Sequence, residues 1–378
     1  MSPSASPLIP VTLLTGFLGS GKTTVLNHLV RQPELADALV IINEFGEMSL
    51  DHMLVAHSTE NLIMEMSSGC LCCTIRGDLV QTLRDVAWRF SREGQRQFRR
   101  VVIETTGLAD PAPIVHTLMT HPQVANRYRL DGIVVTLDLA TGDATLDLHP
   151  EAVRQAAIAD CLLLTKADVA DTETRDALMR RLAAINPAAP RWEVLHGEVS
   201  ASKVLALGLF STQGKAPDVE RWLREEAYTD DAHSHGHTHV HHHGNEDGHG
   251  HDDSVAHHHH GHHHDINRHD DHIRAFCFAV DEPIPAEILA AWLDVLLGFI
   301  GADILRVKGI LNIEGSDKPM VIHGVQHIFH PPATLPAWPS EDRRSRLVFI
   351  TRDVSREAIE ETFRAFHNVL PQAWEAAA

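Results

Sequence analysis

Eight residues near the start of the chain, Gly16, Phe17, Leu18, Gly19, Ser20, Gly21, Lys22 and Thr23, constrain its fold more than any others. They follow an apolar run, Val11 to Thr15, and precede a helical pattern, which is the strand–loop–helix setting in which G-x-x-x-x-G-K-[ST] cradles phosphate. Glycines are needed because the backbone must curl until its N–H groups converge on phosphate oxygens, where the helix N-terminus adds partial positive charge. Lys22 is expected to bridge the β and γ phosphates and the Thr23 hydroxyl to face Mg²⁺, with Gly16, Gly19, Ser20, Gly21 and Thr24 completing the cradle.

The pattern beyond the loop agrees. Short β-branched runs at 11–15, 39–43, 100–104, 132–137, 161–165 and 192–195 alternate with helical periodicity at 77–90, 150–159 and 172–185. A doubly wound, mostly parallel α/β domain is therefore expected over residues 8–228. Residues 229–272 are almost purely His, Asp, Gly and Ser, with too little apolar side chain to offset the entropy of ordering the backbone, and read as a disordered linker. Residues 273–378 are expected to form a small α+β domain, with strands at 273–280, 303–313 and 346–351 and helices at 285–298 and 355–368.

Two motifs narrow the nucleotide. Glu104, Thr105, Thr106 and Gly107 end an apolar strand, where the carboxylate can hold a water of the Mg²⁺ shell and the Gly107 N–H can approach the γ-phosphate. Lys22 and Glu104 are thus the candidate catalytic residues, and the hydrolytic base stays unassigned. Thr165, Lys166, Ala167 and Asp168 form a T-K-x-D variant of the guanine-recognition loop. The Asp168 carboxylate would accept from guanine N1–H and its exocyclic amine, a donor pair adenine lacks, so GTP and GDP are the expected ligands.

Other residues point to a softer cation. Cys70, Cys72 and Cys73 put three thiols within four residues, a donor set that suits Zn²⁺ or Cu⁺ better than Mg²⁺ or Ca²⁺. Three sulfurs leave a tetrahedral ion one ligand short, and Glu47, His52 and His116 are candidates for the fourth; buried small residues or a redox pair are the competing readings. Cys161 and Cys277 sit in apolar strands and read as core. Residues 233–272 hold 18 of the chain's 29 histidines, an array of weak sites for Zn²⁺, Ni²⁺, Cu²⁺ or Co²⁺ unless it is a mere solvated spacer.

Charge and composition exclude other classes. A formal charge of −19 argues against a nucleic-acid partner, and the acid-rich residues 230–272 favour cations. The chain has no run of about 18 apolar residues to span a membrane, and its opening MSPSASPLIP lacks a signal pattern, so a cytoplasmic location is expected.

With the phosphate loop, NEFGE (Asn43 to Glu47), GCLCC (Gly69 to Cys73), ETTGLADP (Glu104 to Pro111) and TKAD in this order, the chain resembles the CobW family of metallochaperone GTPases. RVKG (Arg306 to Gly309) and GVQH (Gly324 to His327) resemble that family's C-terminal domain. The resemblance implies slow GTP hydrolysis, Zn²⁺ bound through C-x-C-C with Glu47 and Cys72 at the metal, NEFGE as a switch, and delivery to a client apo-metalloprotein, with a homo-oligomer as a further expectation. A cobalt or nickel insertase, a metal-storage protein with a regulatory nucleotide site, and a small-molecule kinase are the alternatives. Metal release that ignores GTP would mark storage, and phosphate transfer to an acceptor instead of water would mark a kinase.

Overall fold

The computed structural model describes residues 8–43, 62–66, 74–92, 95–207, 272–329 and 331–375. The first unit contains β1 (Ile9–Gly16), β2 (Ala38–Asn43), β3 (Leu62–Met66), a ribbon of β4 (Ser91–Arg92) and β5 (Gln95–Arg96), then β6 (Arg100–Glu104), β7 (Tyr128–Asp138), β8 (Cys161–Thr165) and β9 (Arg191–Val194). Seven of these strands form one sheet in the order β3-β2-β6-β1-β7-β8-β9. Every pairing in it is parallel. Its helices are α1 (Lys22–Leu29), α2 (Thr74–Arg89), α3 (Ala112–Thr120), α4 (Pro122–Ala125), α5 (Gly142–Leu148), α6 (Pro150–Ile158) and α7 (Thr172–Ile185).

Alternation along the strands sorts side chains to two faces. Val11, Leu13, Leu39, Ile41, Val101, Ile103, Ile133 and Val135 share one cluster with residues of α2, α3, α6 and α7. Leu14, Val40, Ile42, Val102, Val134 and Leu163 share another with Val25, Leu26 and Leu29 of α1. Both faces are covered, as a parallel sheet requires. Cys161 and Cys277 are buried and form no disulfide, in keeping with their reading as core.

The second unit runs β10 (Ile273–Val280), α8 (Ala286–Ile300), β11 (Ile304–Leu311), β12 (Met320–Val325), β13 (Ile328–Phe329), β14 (Ala333–Thr334), β15 (Ser345–Arg352) and α9 (Arg356–Glu375). Its antiparallel sheet has the order β10-β15-β11-β12-β13, with β14 beside β12. One face packs Phe278, Val307 and Phe349 against Trp292 of α8 and Phe363 of α9. The other sends Leu305, Val325, Ile328 and Ile350 into the core of the first unit. Residues 208–271, which include all of the histidine-rich stretch except His272, lie outside the described residues.

A buried charge cluster pins the two units together. Asp160, just ahead of β8, receives the Ile133 N–H at 3.0 Å, the Lys308 ammonium at 2.9 Å and the Arg306 guanidinium. Arg306 also donates to the carbonyl of Ile158. The side chains of Asp160 and Arg306 are only 2% and 4% exposed. Burial opposes ionisation of Asp160, but Arg306, Lys308 and His323 outweigh it and hold the carboxyl well below the usual carboxylate range.

Because the folded state depresses this pKa, the stabilisation is fully present above about pH 4, the unfolded value, and is lost as pH falls through the lower folded value. Asp160→Asn leaves two cations buried without their counter-charge and should cost about 3–5 kcal/mol at pH 7, read from urea unfolding. The deficit relative to wild type should narrow only below about pH 4. Removing the exposed Arg356–Glu360 pair should cost no more than about 0.5 kcal/mol.

Candidate nucleotide and metal site

The phosphate loop joins β1 to α1 at the carboxyl edge of the sheet. Gly16, Gly19 and Gly21 all have left-handed backbones, with φ of 142°, 73° and 87°. A Cβ on Gly16 would lie 2.3 Å from the Thr136 hydroxyl and 2.4 Å from its carbonyl, so both backbone angle and space demand glycine there. The Ser20 and Thr136 hydroxyls meet at 2.7 Å and tie the loop to β7. Lys22 is buried and folds back across the loop, its ammonium donating to the carbonyls of Gly16 at 3.0 Å and Phe17 at 3.1 Å. That places its charge inside the curl, where phosphates would gather. Thr24 is exposed on the first turn of α1.

Beside it, the Thr23 hydroxyl donates to Glu104 Oε1 at 2.7 Å, and Glu104 is buried at the end of β6. A hydroxyl and a carboxylate in contact form a hard oxygen donor pair that fits Mg²⁺. The following loop is fixed by the Thr105 N–H on the Leu14 carbonyl at 3.0 Å and the Thr105 hydroxyl on that of Thr15 at 2.7 Å. A Cβ on Gly107 would fall 2.5 Å from the Leu18 nitrogen, so only glycine lets this loop seat against the phosphate loop.

At the end of β8, Thr165 stands where the guanine-recognition loop usually has Asn. The Thr165 hydroxyl is 2.8 Å from the Ser20 carbonyl and 3.2 Å from that of Leu137, so it joins the T-K-x-D turn to the phosphate loop and to β7. Lys166 has a left-handed φ of 57° and pairs its ammonium with Asp138 at 2.6 Å. Burial raises the Asp138 pKa, but hydrogen bonds from Lys166, the Ala140 N–H and Thr141 lower it by more, leaving it below the ordinary value. Asp168 is exposed, open to a ligand.

The loop after β9 was not foreseen. His196 and Gly197 have positive φ, and a Cβ on Gly197 would lie 2.5 Å from the Thr24 carbonyl, so this turn walls the same crevice. Gln32 fixes it by donating to the Val199 carbonyl and accepting from the Ala201 N–H, both at 2.7 Å. Gly197, two residues past the end of WEVL, was the available signal.

Glu47, His52, Cys70, Cys72 and Cys73 lie outside the described residues, as does NEFGE beyond Asn43. In the chain, the cysteines fall between the end of β3 and the start of α2, and Glu47 follows β2. His116, the remaining candidate ligand, is on α3 with its ring 6.0 Å from that of His327, in the C-terminal GVQH segment. Among the described residues no group of three or more His, Cys, Asp or Glu side chains is arranged to hold a metal.

Comparison with known proteins accounts for both units. Residues 10–193 match the CobW/HypB/UreG nucleotide-binding domain, and residues 273–367 match the cobalamin synthesis protein CobW C-terminal domain. The chain is 32% identical to the zinc chaperone YjiA of Escherichia coli over 356 residues, 94% of this chain and 98% of that one. It is 29% identical to the zinc chaperone CobW of Pseudomonas aeruginosa, covering 94% and 91% of the two chains. The crystal structure of Zn(II)-bound YjiA GTPase from Escherichia coli superimposes with a TM-score of 0.64 at 27% identity, covering 96% of this chain and 99% of that one. With both domains present in order and such a relative matched nearly end to end, the chain belongs to the CobW family.

Proposed function

We propose that this protein is a GTP-hydrolysing metallochaperone that carries Zn²⁺ to client metalloproteins. The observation that carries this is the contact of Thr23 with Glu104 at the mouth of the phosphate loop, on the sheet edge from which the cysteine-bearing connection departs. Asn43 pairs with Met66 and Ile42 with both Glu65 and Glu104, so β2, β3 and β6 end side by side. The connections that contain Glu47 and Cys70 to Cys73 therefore start beside the loop that would sense the γ-phosphate.

On this reading Gly16, Gly19, Ser20, Gly21 and Thr24 wrap the phosphates, Lys22 neutralises the β and γ groups, and Gly107 offers its N–H to the γ-phosphate. Thr23 and Glu104 would hold Mg²⁺, which when bound offsets the charge of the phosphate oxygens. Thr165, Lys166 and Asp168 recognise guanine, with the first two anchored so that Asp168 faces the base. Zn²⁺ is cargo, taken by Cys70, Cys72 and Cys73 with Glu47 as a further ligand. The imidazoles of residues 233–272 would raise local metal concentration and would also accept Co²⁺ or Ni²⁺. Clustered thiols together with the buried Cys161 and Cys277, which form no disulfide, suit a reducing cytoplasm.

Nucleotide-dependent delivery needs a coupling of only about 1–3 kcal/mol, roughly 5- to 150-fold in affinity. Two measurements test the reading. Asp168→Ala should weaken GDP binding by about tenfold to a hundredfold, because a carboxylate accepting two hydrogen bonds is lost, and should leave the weak affinity for ADP unchanged. Titration with fluorescent nucleotides decides it, and equal losses for both bases would sink the guanine assignment. Competition with a chromophoric chelator should give different Zn²⁺ affinities with GDP and with a non-hydrolysable GTP analogue. Replacing all three cysteines by serine should abolish tight stoichiometric binding and spare the weak sites; tight binding that survives would remove the cargo site from Cys70, Cys72 and Cys73.

A further inference from the structure

Gln155 is buried on α6, 1% exposed, and takes no part in the contacts described above. Its amide nitrogen donates to the carbonyls of Gly107 at 3.3 Å and Ala109 at 3.0 Å. A primary amide has two N–H hydrogens, and both are used on this loop. The loop's opposite side has no slack either, since Gly107 lies directly against the Leu18 backbone. The segment from Glu104 to Ala109 is therefore held between the phosphate loop and α6.

The Gln155 carbonyl oxygen is buried and meets no hydrogen-bond donor among the described residues. It borders a cavity of about 20 Å³ that Phe17, Leu18 and Ser20 also line, room for about one water. With its N–H groups taken by carbonyls, the side chain is not free to donate to an attacking water. Its part is mechanical.

The same helix reaches the second unit. One turn beyond Gln155, the Ile158 carbonyl accepts from Arg306, and Asp160 just past the helix takes Arg306 and Lys308. Ala152, Val153, Ala156, Ala157 and Ile158 of α6 are all buried in the shared core. A nine-residue helix packed this closely shifts as a body, because core side chains leave no space to absorb a displacement locally.

Resting on the GTPase reading above, we propose that Gln155 is a positioning residue: it fixes the Gly107–Ala109 loop for the γ-phosphate and transmits that loop's state through α6 to the C-terminal domain at Arg306. The test uses the full chain. Gln155→Met keeps length and volume but removes the donors, and Gln155→Asn keeps the amide one methylene short of the loop. If Gln155→Met does not melt cooperatively, Gln155→Asn carries the same measurements.

GDP affinity should stay within about twofold, while kcat for GTP should fall about tenfold, the worth of a lost buried hydrogen bond, with KM little changed. In wild type, amide exchange across residues 304–311 should differ between GDP and a non-hydrolysable GTP analogue, and in both variants that difference should vanish. Wild-type kcat in a folded variant, or an exchange response that persists, would overturn the inference. A wild-type protein that does not hydrolyse GTP at all would instead bring down the function proposed above, and this inference with it.

Discussion

All seven strands of the first sheet point the same way, and the chemistry of this protein depends on that constraint. Parallel strands need crossover connections, so each strand delivers its following loop to the same edge. β1 ends in the phosphate loop, β6 in Glu104, β8 in Thr165 to Asp168, and β9 in the His196–Gly197 turn. The chain leaves β1 toward β2 and β3 on one side and later continues to β7, β8 and β9 on the other, which opens a crevice where the order reverses. Groups separated by 81 residues, such as Thr23 and Glu104, meet at 2.7 Å because adjacent parallel strands stop level with each other.

The opposite end of the sheet does different work. Asp160 precedes β8 and binds cations from β11, so the C-terminal domain is fastened away from the nucleotide edge. Leu305, Val325, Ile328 and Ile350 bury apolar surface in the same core as α2, α3, α6 and α7, which makes the association more than an ion pair. Replacing buried ions with apolar residues often stabilises a protein, so a cluster of this kind is better understood as fixing how the domains register than as a source of net stability. The RVKG segment acquires a physical reason on this basis: Arg306 and Lys308, two apart on one strand, project to the same side and share one carboxylate.

Much of the fold was legible because its signals are local. The strands at 100–104, 161–165 and 273–280 and the helix at 172–185 appear with the bounds their apolar patterns suggest, and the phosphate loop is recognisable from glycines whose positive φ no other residue would adopt cheaply. β3, with the sequence LIMEM, escaped notice because five residues with one acid resemble helix or loop as much as strand. The helices at 112–120 and 142–148 also went unread; one begins with prolines and the other spans only seven residues, too short for periodicity to show. β13 and β14 are only two residues each, too short to show any alternation. Gln155 was invisible for a different reason: a glutamine in an amphipathic helix looks like any surface residue until the tertiary structure places a loop against it. His116 could be named as a candidate ligand, but its neighbour His327 lies 211 positions along the chain, a proximity no spacing rule would supply.

Two cations of different character are implied by one chain, and ligand chemistry keeps them apart. Thr23 and Glu104 present oxygen alone, which Mg²⁺ accepts and which gives Zn²⁺ no advantage over the far more abundant hard ion. The three thiols between β3 and α2 reverse that preference, since thiolate binds Zn²⁺ strongly and Mg²⁺ hardly at all. On the proposed reading, coupling between nucleotide and cargo therefore cannot arise from a shared ligand or from competition for one site. It has to pass through the backbone, and the parallel sheet supplies a short route: β2 lies between β3 and β6, joined to both by hydrogen bonds, so a change in the loop after Glu104 is felt one strand from where the connections bearing Glu47 and the cysteines begin. The sheet is then both the scaffold that gathers the site and the lever that links its two halves.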